Sequence, residues 1–189
     1  MSTMEETTDA DRVSRSADVK VWDIAVRLFH WSLVTAYVLA WLSADEWDRF
    51  HNQVGYVVAG LIGFRIVWGL FGTKHARFSD FLYRPSTVLG YLRDSVVGRA
   101  KRYLGHNPAG GFMVIALLLS LTGVTVSGIA MTSDMFWGSE WVEEIHEILA
   151  NVTLVLVALH IVGVIFASYE HKENLVKAMF TGFKRRLSD

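Results

Sequence analysis

Histidines are the residues of this sequence whose type and spacing could do chemistry. His146 and His160 lie fourteen residues apart in an apolar stretch that runs from about residue 142 to 169. On an α-helix, fourteen residues rise about 21 Å and turn through four turns less roughly 40°, so both imidazoles project from nearly the same face. A histidine in a membrane span usually faces a bundle interior and is a candidate functional residue. The alternative is two buried histidines, each hydrogen-bonded to a neighbouring helix.

Four apolar stretches of about the length needed to cross a bilayer would position these histidines. They run from about residue 24 to 43, 54 to 71, 112 to 131 and 142 to 169. The second is rich in glycine, which allows close approach of another helix or of a flat ligand. The sequence therefore predicts an all-α membrane protein, an antiparallel bundle of four transmembrane helices.

Composition excludes several classes of protein and of cofactor. The 189 residues are 52% hydrophobic and carry a net charge of −1, which gives no basic face for a nucleic-acid backbone. There is no cysteine, so disulfides, cysteine-ligated iron–sulfur clusters and the C-x-x-C-H attachment of a c-type haem are excluded. Any cofactor must be held by nitrogen or oxygen ligands.

Basic residues are distributed unevenly around the four stretches. Of the eighteen Lys and Arg residues, sixteen lie in the amino-terminal flank, the loop after the second stretch and the carboxy-terminal tail, and only Arg49 lies in the two short connections. By the positive-inside rule, both termini and the long loop are expected in the cytoplasm.

The chain is expected to divide into a membrane domain with polar ends. We predict a disordered polar tail at 1–20, a transmembrane domain at 21–180 that includes a cytoplasmic loop at 73–107, and a basic tail at 181–189. Within the loop, residues 86–104 could form a helix on the membrane surface. Asn107 followed by Pro108 predicts the start of the third membrane helix.

The predicted depths arrange four histidines as two pairs. His30 lies in the cytoplasmic half of the first span, and His51 at the outer entry of the second. His146 is then at the outer end of the fourth span and His160 deeper, so depth pairs His51 with His146 and His30 with His160. Each b-type haem iron takes axial ligands from the protein, so two pairs of histidines in a helix bundle could hold two such haems.

Arg65 is a further candidate binding residue. It follows His51 by fourteen residues, so it lies on nearly the same helix face at the depth of the inner pair. A haem propionate would supply the counter-charge that a cation at this depth needs. The alternative is that Arg65 extends to the cytoplasmic interface.

Three other histidines are not expected to bind iron. His75 and His106 lie in the cytoplasmic loop and are expected to be solvated or to cap helices. His171 follows His160 by about three turns, which would allow a ligand, but its charged neighbours argue against it.

The sequences around the four paired histidines, RLFHW, FHNQVGY and IHEILANVTLVLVALH, resemble the bacterial di-haem cytochrome b561 family. This family includes the cytochrome b subunits that anchor nickel–iron hydrogenases, and the resemblance covers about residues 19–180. It implies a four-helix protein with two haem b groups, ligated by His30, His51, His146 and His160, that exchanges electrons with quinone and with a redox partner.

The expected function is respiratory electron transfer between the quinone pool and a periplasmic c-type cytochrome, dehydrogenase or hydrogenase. The chain would then be an electron carrier or the cytochrome subunit of an oxidoreductase, and assembly into a homo-oligomer stays open. One alternative is a stand-alone superoxide:quinone or quinone oxidoreductase. Another is a histidine-lined metal transporter, although transport would favour ligands clustered at one central site over histidines at two depths.

Overall fold

A computed structural model of the chain describes residues 18–44 and 47–187, which are mostly helical. The predicted tail at residues 1–17 and the last two residues lie outside the described ranges. In chain order the elements are β1 (Asp18–Lys20), α1 (Ile24–Ser43), α2 (Asp48–Phe71), a 3-10 turn (Lys74–Ala76), α3 (Phe78–Phe81), α4 (Pro85–Val96), α5 (Pro108–Met131), α6 (Glu140–Glu170), α7 (Leu175–Thr181) and β2 (Phe183–Arg185).

The four predicted membrane spans are confirmed as helices. Helices α1, α2, α5 and α6 contain 20, 24, 24 and 31 residues, and each is long and apolar enough to cross a membrane. Three of them begin before the apolar stretch that predicted them: α2 by six residues, α5 by four and α6 by two. Helix α2 starts at Asp48, so His51 lies in its first turn, and α6 starts at Glu140.

Side-chain caps define where helices begin. The carboxylate of Asp23 accepts a hydrogen bond from the backbone N–H of Val26 at 2.8 Å, at the start of α1. The side-chain oxygen of Asn107 accepts one from the N–H of Gly110 at 2.7 Å, and Pro108 occupies the first turn of α5. The predicted helix start at Asn107 and Pro108 is therefore confirmed.

Helix α5 packs along α6, α1 packs along α2, and α2 packs along α5. A cluster of buried side chains lies where α1, α2 and α5 meet, formed by Ala36, Val54, Val58, Ile62 and Leu121. Between α5 and α6, the hydroxyls of Ser120 and Thr153 are 2.7 Å apart, and Thr153 is 0% exposed. Many large apolar side chains on the outward faces are exposed, as a helix bundle surrounded by lipid requires.

The connection 73–107, called here the inner loop, folds against one end of the bundle, called the inner end. Its helix α4 lies within the predicted surface segment but ends at Val96, and it buries Val88, Tyr91 and Ser95. A second buried cluster joins the loop to both ends of the chain and consists of Val21, Trp22, Val26, Ala76 and Ala178.

Residues from both predicted terminal tails form a small sheet. Strand β1 pairs with β2 in an antiparallel sheet, with Asp18 opposite Arg185. Lys184 is only 6% exposed, and its amine donates to the carbonyl of Tyr103 at 3.0 Å and lies 3.5 Å from a carboxylate oxygen of Glu173. Strands of three residues are too short to show an alternating pattern, and one buried lysine with distant partners is invisible in sequence.

Candidate functional site

His51 and His146 face each other across the outer half of the bundle. The first turn of α2 carries His51 and the second turn of α6 carries His146. Their ring centres are 6.2 Å apart, and the ring planes are inclined at 81°. The two residues paired by depth in the sequence are thus neighbours, which we call the outer pair.

Backbone carbonyls of two other helices orient the rings of the outer pair. The Nδ1 atom of His51 lies 2.9 Å from the carbonyl oxygen of Ala40 in α1. The Nδ1 atom of His146 lies 3.0 Å from the carbonyl of Val124 and 3.1 Å from the hydroxyl of Ser127, both in α5. Because a carbonyl can only accept, Nδ1 of each neutral ring carries the proton, and the lone pair is on Nε2. This is the tautomer in which a histidine binds a metal through Nε2.

A glycine lets α5 approach the His146 ring closely. A Cβ atom at Gly128 would lie 3.0 Å from Cε1 of His146. Any larger residue would push the imidazole away from α5 and its carbonyl partner. The ring position therefore depends on this glycine as well as on the hydrogen bond.

His30 on α1 and His160 on α6 form the inner pair. Their ring centres are 6.5 Å apart and the planes are inclined at 53°. The Nδ1 atom of His30 is buried and has no hydrogen-bond partner among the residues the structure describes. On α6 the two pairs are separated by fourteen residues, a rise of about 21 Å.

Arg65 is buried rather than extended to the interface. It is 3% exposed, and its guanidinium carbon lies 4.8 Å from the ring centre of Phe78 and 5.9 Å from that of Phe81, both on the inner loop. Within residues 18–44 and 47–187, its Nη1 atom has no hydrogen-bond partner. A buried guanidinium with an unpaired N–H is costly, so this arrangement is suited to an added anionic group.

The spacing of both histidine pairs fits a haem iron between them. Two iron–nitrogen bonds of about 2 Å and two nitrogen-to-ring-centre distances of about 1 Å place ring centres about 6 Å apart. The observed separations are 6.2 and 6.5 Å. A Cβ built at Gly55, one turn after His51, meets no heavy atom within 4 Å, so α2 is open at this point beside the outer pair. In the described part of the chain, no group of three or more His, Cys, Asp or Glu could hold a metal ion.

The remaining histidines have other partners. Nδ1 of His75 lies 2.9 Å from a carboxylate oxygen of Asp80. Nε2 of His171, at the end of α6, lies 3.4 Å from the hydroxyl of Tyr91 on α4. Neither the ring of His75 nor that of His171 is placed opposite a histidine of the outer or the inner pair.

The expectation that His106 is solvated or caps a helix is wrong. Its ring centre lies 4.7 Å from the ring of Trp22 and 4.4 Å from that of Phe81, and its Nδ1 is sealed from solvent. Burial, reinforced by the positive charge of Arg65, lowers the pKa of His106 to about 3, so the ring is neutral at pH 7. Its sequence neighbours Gly105 and Asn107 are polar or small and gave no sign of this environment.

Four apolar helices with facing histidine pairs define a class of protein, the membrane-bound b-type cytochromes. Residues 21–182 match the sequence profile of the prokaryotic cytochrome b561 family, and the chain belongs to this family. The resemblance noted in the sequence is thereby confirmed. Family membership implies a haem b cofactor and electron transfer within a membrane.

Curated relatives share nearly the full length of the chain. A protein named probable Ni/Fe-hydrogenase B-type cytochrome subunit from Azotobacter vinelandii is 25% identical over 95% of this chain and 94% of its own length. A protein of the same name from Rhodobacter capsulatus is 21% identical over 93% of this chain and 85% of its own length. No solved structure matches the chain.

Proposed function

We propose that this chain is a di-haem conduit that passes electrons between quinone in the membrane and a periplasmic redox partner. The observation that carries the proposal is the presence of two facing histidine pairs, with ring centres 6.2 and 6.5 Å apart, at two depths of one bundle. Two haems in series allow electrons to cross much of a hydrocarbon core that is about 30 Å thick.

Each pair would hold one haem b. His51 and His146 would bind the outer iron, and His30 and His160 the inner iron. The haem supplies reversible one-electron chemistry at iron, tuned by its ligands and by the hydrogen bonds around them. With imidazoles on both faces, no coordination position is left for a substrate, which suits electron transfer better than catalysis at the metal.

The protein contributes orientation of the ligands. In the outer pair, hydrogen bonds from Nδ1 to the carbonyls of Ala40 and Val124 fix both rings and increase the basicity of Nε2. In the inner pair, the unpartnered Nδ1 of His30 leaves that ring with one fewer constraint. The two haems would therefore differ in their surroundings, as sites in an electron-transfer chain commonly do.

Arg65 would bind a propionate of the inner haem. Its burial and unpartnered Nη1 support this role, since a carboxylate would neutralise the guanidinium and accept its hydrogen bonds. The rings of Phe78 and Phe81 would keep water away from the ion pair.

The inner end of the bundle is proposed to face the cytoplasm. The β1–β2 sheet places the first and last described segments at one end, together with the inner loop. These are the segments that hold nearly all the basic residues, which favours a cytoplasmic position for both termini in a bacterial inner membrane.

The outer end would meet the redox partner. Glu140, Glu143 and Glu144 are exposed at the start of α6, close in sequence to His146. An acidic surface beside the outer pair could steer a basic surface of a c-type cytochrome, dehydrogenase or hydrogenase. The two relatives named above carry the name of a hydrogenase cytochrome subunit, which supports a hydrogenase as the partner.

The conduit can be tested in proteoliposomes. Quinol would be supplied in the bilayer and an electron acceptor enclosed on the side that the outer pair faces. We expect acceptor reduction by the native protein, and a fall to the protein-free rate in both His160→Ala and His146→Ala. Reduction that survives removal of either pair would contradict a serial conduit. Turnover with superoxide in the absence of any partner would favour the stand-alone oxidoreductase.

A further inference from the structure

His106 is a half-buried histidine that the proposed conduit leaves without a role. Its ring lies between Trp22 and Phe81, with ring centres 4.7 and 4.4 Å away. The residue keeps some exposed surface, but its Nδ1 atom has none and has no hydrogen-bond partner among the described residues. An unpaired polar atom in such a place costs free energy unless another group binds it.

Arg65 and His106 are neighbours at the inner end of the bundle. Phe81 contacts both, with its ring centre 5.9 Å from the guanidinium carbon and 4.4 Å from the imidazole centre. Nη1 of Arg65 and Nδ1 of His106 are both buried and without hydrogen-bond partners among the described residues, so the two residues lie around one aromatic ring with a nitrogen each to be paired.

Two carboxylates at the inner end, Asp23 and Asp80, already have other donors. Asp23 accepts hydrogen bonds from the hydroxyl of Thr73 at 2.5 Å, from the indole of Trp68 at 3.1 Å and from its own helix. Asp80 binds Nδ1 of His75 at 2.9 Å. A carboxylate of a bound group would offer the oxygens that the guanidinium of Arg65 and an imidazole N–H of His106 require.

We propose that His106 and Arg65 together bind one propionate of the inner haem, and that the inner loop is thus part of the haem site. The proposal rests on the assignment of His30 and His160 as ligands of that haem. Arg65 would supply the charge and His106 one neutral hydrogen bond. Trp22 and Phe81 would hold the imidazole in place.

The test compares two forms of the cofactor in full-length protein. Apoprotein is reconstituted with haem b or with its dimethyl ester, in which both propionates have lost their charge. The variant is His106→Phe, which keeps an aromatic ring between Trp22 and Phe81 but removes the donor. The control is His75→Phe, since His75 lies on the same loop and binds Asp80.

Loss of a hydrogen bond to a charged group should lower the affinity of the inner site for haem b roughly ten- to a hundredfold in His106→Phe. Affinity for the ester should be the same as in the native protein. The midpoint potential of the inner haem should also fall, because the propionate charge is less well compensated. The outer haem, and both haems in His75→Phe, should be unchanged.

Equal loss of affinity for haem b and for the ester would overturn the proposal, since it would mean that His106 only supports the fold. An unchanged affinity for both would overturn it as well. If His106→Phe is not recovered as folded protein, His106→Leu, which also lacks a donor, is used and the propionate bending band of the inner haem is followed by resonance Raman. A shift of that band is expected, and an unshifted band is the contrary result.

Failure of this inference is distinguishable from failure of the proposed function. If His30→Ala and His160→Ala leave the haem content unchanged, the ligand assignment itself is wrong. If they remove the inner haem while His106→Phe shows no difference between haem b and the ester, only the role of His106 is refuted.

Discussion

Gly55 offers a way to block the outer haem without disturbing the protein around it. It lies one turn after His51 on the same side of α2, and a Cβ built there meets no heavy atom within 4 Å. Gly60 has equally open space. It follows His51 by nine residues, about two and a half turns, and so projects from the opposite side of α2. The matched variants are Gly55→Leu and Gly60→Leu.

Neither substitution should harm the helix, because leucine is a better helix former than glycine by nearly 1 kcal/mol. In Gly55→Leu the side chain would enter the space beside two imidazoles whose centres are 6.2 Å apart. Overpacking of this kind typically costs about 1–3 kcal/mol. At about 1.4 kcal/mol per factor of ten, the outer haem should bind roughly 5- to 150-fold more weakly. Gly60→Leu should bind both haems as the native protein does.

The assay is haem occupancy per chain under limiting haem, read from reduced-minus-oxidised spectra of purified full-length protein. The outer haem is identified as the one that His146→Ala lacks. We expect Gly55→Leu to lose that haem and to keep the inner one. The reasoning is refuted if Gly55→Leu keeps native affinity for the outer haem, or if Gly60→Leu loses haem to the same extent.

Three further substitutions test other contacts. Gly128→Val should displace the ring of His146, since even a Cβ would lie 3.0 Å from its Cε1. It should weaken binding of the outer haem alone, and a loss confined to the inner haem would contradict this. Burial alone would raise the pKa of Glu173, but hydrogen bonds and nearby cations hold it below its ordinary 4.5. The contribution of the Glu173 carboxylate to stability is therefore complete above pH 4.5 and is lost as the pH falls through the lowered pKa. The melting temperature of the native protein should therefore fall more steeply in acid than that of Glu173→Gln, and parallel curves would refute this. Ser120→Ala removes the 2.7 Å hydrogen bond to Thr153 and should destabilise the bundle by roughly 0.5–1.5 kcal/mol. Denaturation in detergent measures this change, and an unchanged midpoint would contradict it.

The membrane spans could be predicted because hydropathy and length are local properties of sequence. A stretch of about twenty apolar residues must hydrogen-bond its own backbone in lipid, and a helix achieves this within one segment. The pairing of His51 with His146 could also be predicted from the sequence, because the depth of a residue in an antiparallel bundle follows from its position in its span. The boundaries are less accurate, since the first turn of α2 is polar and lacks the apolar pattern that predicts a membrane span.

Contacts between distant loops could not be predicted. Lys184 is buried through interactions with Tyr103 and Glu173, and His106 is partly covered by the tilted rings of Trp22 and Phe81. Each contact joins residues that are far apart in sequence and belong to segments of mixed polarity. Composition favours exposure for such segments, and only tertiary packing reverses it.

The hydrogen bonds that orient the histidine rings could not be predicted from the sequence either. His51 and His146 bind backbone carbonyls of α1 and α5, and a carbonyl exists at every residue, so no residue type marks the partner. Gly128 gave a weak signal, because a small residue in a membrane helix indicates close approach of a neighbour. What approaches it is the ring of His146.

The central claim is that four histidines hold two haems in the pairs 30 with 160 and 51 with 146. The most direct measurement is the reduced-minus-oxidised spectrum of detergent-purified protein, with haem quantified per chain, for the native sequence and for His30→Ala, His51→Ala, His146→Ala and His160→Ala. We predict two b haems in the native protein and one lost in each variant, with identical residual spectra within each pair. Haem content that is indifferent to these substitutions, or losses that do not group in this way, would contradict the account.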